Sequence, residues 1–273
     1  MIKTVVLIPH YNNLECLVRT LQSIYHTIGI DVLVVDDGSE GLMLPDFETL
    51  KKSLNSNVHL ELIKLKKNEG ITHALNVGLD HVLKMNKHQF VARIDCGDVC
   101  VHDRFERQEK FLMKNEEIAL VGSWVKWIDS KGKVVFCKKP PINHKDIQRR
   151  MSVRCSLIHP STMFRYSVVE ELGKYPEEYE AAEDYAYFYK ITNQYKAANI
   201  PEFLTTVEYT DDGISSVKRK EQNRSKLKII CAYTPFNFHF IYGMIFNLVL
   251  MTLGPNTVLK LKKKVFNDNS TCS

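Results

Sequence analysis

The strongest constraint on this chain is the alternation in its first 130 residues. Short apolar runs, TVVLI (4 to 8), DVLVVDD (31 to 37), HLELIKL (59 to 65), FVARID (90 to 95) and IALVGSWVKWI (118 to 128), are rich in β-branched and aromatic residues. Helical periods lie between them. Leu14, Leu17, Val18, Leu21 and Ile24 form one apolar stripe, with Asn12 placed to cap its start and Glu15 three residues on. Ile71, Ala74, Leu75, Gly78, Leu79 and Val82 form a second. Strands that are apolar throughout cannot leave either face in water. The pattern therefore predicts an α/β fold, a mostly parallel, doubly wound sheet with helices on both faces. Such a sheet places its ligand crevice beyond the carboxyl ends of its strands.

The composition agrees. With 273 residues, 44% hydrophobic and 25% charged, the chain can bury one large or two small cores, and extensive disorder is excluded. The formal charge of +5 is mild, and the basic excess comes late, in KRKEQNRSKLK (218 to 228) and KLKKK (260 to 264). That argues for a local anionic contact and against a nucleic-acid binder. The seven cysteines show no C-x-x-C pair and no zinc spacing, so they read as reduced thiols in a cytosolic compartment. The opening MIKTVVLIPHY is too short in apolar residues for a signal peptide and reads as a first strand, so the N-x-S/T sequons at Asn223 and Asn269 carry little weight.

The second half changes character. WIDSKGKVVF reads as a hairpin turning at Lys131-Gly132, HPSTMFR (159 to 165) as a short strand leading into the helix SVVEELG, and AAEDYAYFYKI (181 to 191) as a further helix. No internal repeat or low-complexity linker divides the chain. The run FNFHFIYGMIFNLVLMTLG (236 to 254) approaches the ~20 residues of a membrane span, but Asn237, His239, Asn247 and a glycine interrupt it. With lysine-rich sequence on both sides, it reads as a helix lying in a bilayer interface or docked on an integral partner, with an ordinary core helix as the alternative.

Three acidic clusters stand at element ends: Asp36-Asp37, Asp95 with Asp98, and Glu183-Asp184. Singly, each is an ordinary turn or helix start. Together they place several carboxylates at one crevice, where they repel unless a cation or a donor-rich ligand compensates. A hard divalent ion bridging one or two carboxylates to a diphosphate resolves the conflict. Rival sites are missing: there is no G-x-G-x-x-G after the first strand, no G-x-x-x-x-G-K-[ST] and no G-x-S-x-G.

In order and spacing these segments resemble the family 2 glycosyltransferases, which have the A-type glycosyltransferase fold. The likeness runs from about residue 3 to 215, through VVLIPHYNN, VLVVDDGS, KNEGITHALNVGL, ARIDCGD, RFERQEKFL, HPSTMFR and AAEDYAYFYKI. It implies a catalytic domain over 1–215, with a nucleotide-sugar-binding half (1–117) and an acceptor-binding half (118–215); beyond it, the basic and apolar segment 216–273 reads from its own residues as membrane- or partner-associating.

The resemblance also assigns residues. Pro9 and Tyr11 would flank the nucleoside, and Asp37 and Asp36 would accept from base or ribose. Asn68 and Gly70 would line the pocket, Arg93 would approach the diphosphate, and Asp184 would be the catalytic base. The family's D-x-D-D is broken here by Gly97, which leaves Asp95 and Asp98 to reach a Mn²⁺ or Mg²⁺ ion, with His159 as a further candidate near it.

The implied activity is inverting transfer of one sugar from a nucleotide-sugar, expected to be a UDP-sugar, to a saccharide hydroxyl. The expected acceptor is lipid-linked, in surface polysaccharide synthesis at the cytoplasmic face of a membrane. The alternatives are a non-catalytic nucleotide-sugar-binding partner of another transferase, or a sugar nucleotidyltransferase, for which no glycine- and lysine-rich phosphate loop is present. Trp124 and Trp127 read as hairpin packing rather than a sugar platform.

Overall fold

The computed structural model describes residues 3–209 and 218–253. Asn269, Cys272 and the KLKKK run lie outside the described residues. Elements follow in the order β1 (Thr4–His10), α1 (Leu14–Gln22), β2 (Ile30–Asp36), α2 (Phe47–Lys51), β3 (Val58–Lys64), α3 (Ile71–Met85), β4 (Phe90–Arg93), β5 (Val99–Cys100) and α4 (Arg104–Lys114). The second half contributes β6 (Ile118–Ile128), β7 (Val134–Lys138), α5 (His144–Met151), β8 (Met163–Arg165), α6 (Tyr166–Leu172), α7 (Glu183–Gln194), β9 (Lys196–Glu208), α8 (Arg219–Tyr233) and α9 (Phe238–Thr252).

One nine-stranded sheet runs β3-β2-β1-β4-β8-β6-β9-β5, with β7 paired to β6. Its first four strands are parallel, as the continuous apolar runs require. The parallel pairing is interrupted at β8, which enters antiparallel to both β4 and β6, and resumes between β6 and β9, so the sheet as a whole is mixed. Both faces are covered. Val5, Leu7, Leu33 and Val35 point into a core under α3, α6 and α7, while Val6, Ile8, Val32 and Val34 point into a second core under α1 and α4. In α1, Leu17 and Leu21 are fully buried, each worth about 1.5–3 kcal/mol of burial. The chain steps outward from β1 to β2 and β3 and then crosses to β4, which makes the gap between β1 and β4 the topological switch point.

One expectation is corrected. The cap of α1 is Asn13, whose side chain accepts from Cys16 N–H, because Asn12 sits at φ +46° and instead bonds the next loop through Ser39 Oγ and Glu40 N–H. Cys16, Cys96, Cys100, Cys155 and Cys231 are free thiols. The basic run at 218 to 228 is largely α8, which buries Ile229 and Ile230 against the rest of the chain, with Tyr189 Oη and Thr234 Oγ1 2.7 Å apart at its end. No helix among the described residues is long and apolar enough to cross a membrane.

Candidate active site

The C-terminal ends of β2, β1 and β4 and the start of α7 build the crevice. At the end of β2, Asp36 spends itself on its own turn, bonding His10 Nδ1 at 2.8 Å and accepting from Ser39 Oγ at 2.5 Å. Burial alone would raise its pKa, but the hydrogen bonds from His10 and Ser39 outweigh it and hold the carboxylate low. With both the His10 and Asp36 side chains at 0% exposure, the expectation that Asp36 meets the nucleoside does not hold.

Asp37 ties the next loop down, its two oxygens accepting from Glu69 N–H at 2.8 Å and Gly70 N–H at 2.9 Å. Gly38 makes that closure possible. It sits at φ +73°, and a Cβ there would stand 2.3 Å from the Lys67 carbonyl carbon. Around this turn Pro9 is buried, Gly70 is half-buried at the start of α3, and Tyr11 and Asn68 are exposed.

At the end of β4, Arg93 is buried and pairs with Asp95 Oδ1, while its Nε has no partner. Arg104 Nη2 donates to Arg93 O at 2.6 Å and fixes the strand end from below. The acidic loop then turns back, with Asp98 N–H on Asp95 O at 3.1 Å and Gly97 at φ +104°. Thr20 of α1 locks it, taking Gly97 N–H at 2.8 Å and donating to Asp98 O at 2.8 Å. Gly97 is therefore required by the backbone of this turn. Asp98 is buried, and burial together with the charge of Asp95 pushes its pKa well above the usual range, against the Glu208 N–H, Arg93 and Arg104.

The third segment arrives through Ala181, held at φ +55° with its carbonyl taken by Gln222 Nε2 of α8 at 3.0 Å. Glu183 is buried, with Oε2 unpartnered, and burial and the adjacent Asp184 push its pKa up to about 7. Asp184 is half-buried. Its Oδ1 accepts from Tyr185 N–H at 2.7 Å, and burial raises its pKa against that bond and the positive charge of Lys226. Asp95 pushes both carboxyls upward and Arg93 pulls both down, so the acidic loop and the start of α7 share one electrostatic field.

Asp95 and Asp98 do not form an all-protein metal cage, and among the described residues no group of three or more His, Cys, Asp or Glu could hold an ion. They do fit a hard divalent cation that takes one or two carboxylates and completes its shell with substrate phosphate and water. Burial and the charge of Asp95, which together lift Asp98, are both offset by such a cation. His159 is not placed to help: its Nε2 lies 3.0 Å from Tyr175 Oη, and burial with the nearby Arg93 charge keeps the ring neutral.

Sequence reasoning missed His10, Thr20 and Arg104, which brace the loops, and Lys226, which lay hidden in a basic run read as surface. Only the motif positions of their partners could have pointed to them. Two cavities, of about 470 and 460 Å³, lie away from this crevice, one at the N-terminal ends of β6 and β9 and one between α5 and α9.

A covered, mixed sheet whose first four strands are parallel, with its switch-point crevice beside the Asp37 turn, the acidic loop and the start of α7, has the architecture of an A-type glycosyltransferase. The chain belongs to glycosyl transferase family 2, whose model matches residues 5–173. Among its relatives is the amylovoran biosynthesis glycosyltransferase AmsE of Erwinia amylovora, 30% identical over 82% of each chain. Another is the UDP-Gal:alpha-D-GlcNAc-diphosphoundecaprenol beta-1,3-galactosyltransferase of Escherichia coli, 27% identical over 81% of this chain and 76% of that one. The S. aureus TarS fragment 1-349, solved in complex with UDP-GlcNAc, shares the fold with a TM-score of 0.63 at 18% identity, over 90% of this chain and 71% of its own. So does the mannosyltransferase PcManGT of Pyrobaculum calidifontis, solved with GDP-Man and Mn²⁺, with a TM-score of 0.62 at 14% identity over 96% and 79%. The protein is a glycosyltransferase enzyme, and named relatives act in polysaccharide biosynthesis.

Proposed function

We propose that this enzyme moves one sugar from a UDP-sugar to a hydroxyl of a lipid-linked saccharide, with inversion, in surface polysaccharide synthesis at the cytoplasmic face of a membrane. The observation that carries the reading is the shared field of Asp95, Arg93, Glu183 and Asp184 at the switch point. The relative named for UDP-Gal favours a uridine donor, and its diphosphoundecaprenol saccharide acceptor favours a lipid-linked one here. In this reading residues 1–117 bind the donor, 118–215 bind the acceptor, and 216–273 meet the membrane.

Pro9, Tyr11, Asn68 and Gly70 form the nucleoside wall, and the remaining lone pairs of Asp37 accept from base or ribose. Arg93 neutralises the diphosphate from beneath. Asp95 and Asp98 would hold Mn²⁺ or Mg²⁺, which when bound supplies positive charge against the departing nucleoside diphosphate. Asp184 accepts the acceptor hydroxyl's proton on the oxygen that Tyr185 leaves free, as the acceptor oxygen bonds to the anomeric carbon and the bond from that carbon to the diphosphate breaks. One displacement inverts the centre, so no covalent intermediate is required. Gly97 serves the turn, so its departure from D-x-D-D does not mark a decayed site.

The test is Asp184→Asn, assayed for transfer and for donor binding. The expected loss of kcat is about 10²–10⁴-fold with donor affinity retained. Unchanged transfer would remove Asp184 from the mechanism.

A further inference from the structure

We propose that α9 docks the enzyme on an anionic phospholipid bilayer, its outer face entering the headgroup region and Arg150 meeting lipid phosphate. α9 is built inside out. Its buried positions are Gly243, where a Cβ would stand 2.0 Å from Ser152 O, and Asn247, whose Nδ2 donates to Val153 O at 3.0 Å. The outward residues Phe238, Ile241, Tyr242, Ile245, Leu248 and Val249 are between 45% and 76% exposed. A helix that turns glycine and asparagine inward and this apolar row outward is not satisfied by water.

Charge selects the occupant. The cavity of about 460 Å³ beside the first turn of α9 is lined by Arg149, Arg150, Val153, Phe238, His239 and Tyr242, together with Asp146. Arg149 leans on Asp146 at 3.7 Å, whereas among the described residues no side chain or carbonyl accepts from the half-buried guanidinium of Arg150. Burial and the neighbouring Arg154 push its pKa down to about 10. An unpaired guanidinium next to an apolar helix is matched by phosphate above acyl chains, because phosphate offers the planar fork two acceptors. The sequence after α9 continues into Lys260, Lys262, Lys263 and Lys264, of the same sign.

The geometry also suits the proposed reaction, on which this inference rests for its purpose. Arg219 of α8 donates to Leu250 O and Leu253 O at the end of α9, and Gln222, one turn further along α8, holds the Ala181 loop that leads into Glu183-Asp184. A bilayer against α9 would lie beside the catalytic edge.

Flotation of the full chain with phosphatidylglycerol-containing vesicles and with pure phosphatidylcholine vesicles tests this. The anionic vesicles should carry the chain. A double variant, Ile245→Glu with Leu248→Glu, changes only exposed positions and should lower binding roughly tenfold or more at unchanged thermal stability. Arg150→Gln should lower partition to anionic vesicles about fivefold and leave the neutral ones unaffected. Equal binding of wild type and both variants overturns the proposal. So does a dimer in light scattering that the double variant splits while the wild type ignores vesicles, since a second copy then covers the face. UDP-sugar binding, measured on the same samples, keeps the two readings apart: a chain that floats but binds no donor loses the proposed function alone, and one that binds donor but does not float loses the docking surface alone.

Discussion

At the residue scale, the site holds carboxyls that the fold would be more stable without. Glu183 titrates near pH 7 because burial and Asp184 oppose its charge. A carboxyl whose folded pKa is raised binds its proton more tightly in the native state. The contribution of Glu183 to stability is therefore highest at low pH and falls as pH rises from 4.5 through about 7, by roughly 1.4 kcal/mol for each unit in that window, or about 3 kcal/mol in all. Glu183→Gln removes the titration, so thermal melts should show the variant more stable than wild type at pH 8 and near parity at pH 4.5. A variant that loses stability at both pH values would show instead that the charged form is held by a donor. Proteins keep such penalties where a ligand offsets them, and Arg93, with a buried Nε that nothing satisfies, belongs to the same group.

At the element scale, α9 hangs on two residues. Gly243→Val places a branched side chain where even a Cβ stands 2.0 Å from Ser152 O, so α9 must lift from α5 while the sheet and crevice stay intact. Limited proteolysis should cut the variant between α8 and α9 faster than wild type, with UDP-sugar binding unchanged; loss of donor binding would mean that α9 supports the crevice through α8. The elements differ in how far they could be read. The first four strands and α1, α3 and α7 were legible because apolar runs and helical stripes there follow one period. β9 was not, because Pro201 and Glu202 break its thirteen residues and its first buried positions are two small alanines and the polar Asn199. The cap of α1 was misread by one residue, since two adjacent asparagines offer the same chemistry and only the backbone of Asn12 decides between them. The three acidic clusters were legible as pairs at element ends. That Asp36 faces inward was not, because its partner His10 carries no signal of its own.

At the scale of the whole molecule, the proposed donor site joins segments distant in sequence, so ligand binding should report on the entire fold. A ligand that binds only the native state stabilises it by about 2.7 kcal/mol at a hundredfold excess over Kd. For a chain of this size, that corresponds to a rise in Tm of roughly 5–10 °C. Titration with UDP-sugars and GDP-sugars, with and without Mn²⁺, should give such a shift for one uridine donor and only with metal. Asp98→Asn sharpens the test because its two effects have opposite signs. Removing a buried charge that Asp95 repels should raise the Tm of the free protein at neutral pH, and removing a metal ligand should abolish the metal-dependent shift. A variant that melts higher alone and no longer responds to donor with Mn²⁺ places the cation at the acidic loop. One that melts higher and still responds would leave the metal to Asp95 alone. One that melts lower would mean that Asp98 is held charged by Arg93 and Arg104 as part of the fold, and the case for a cation between the two aspartates would fail.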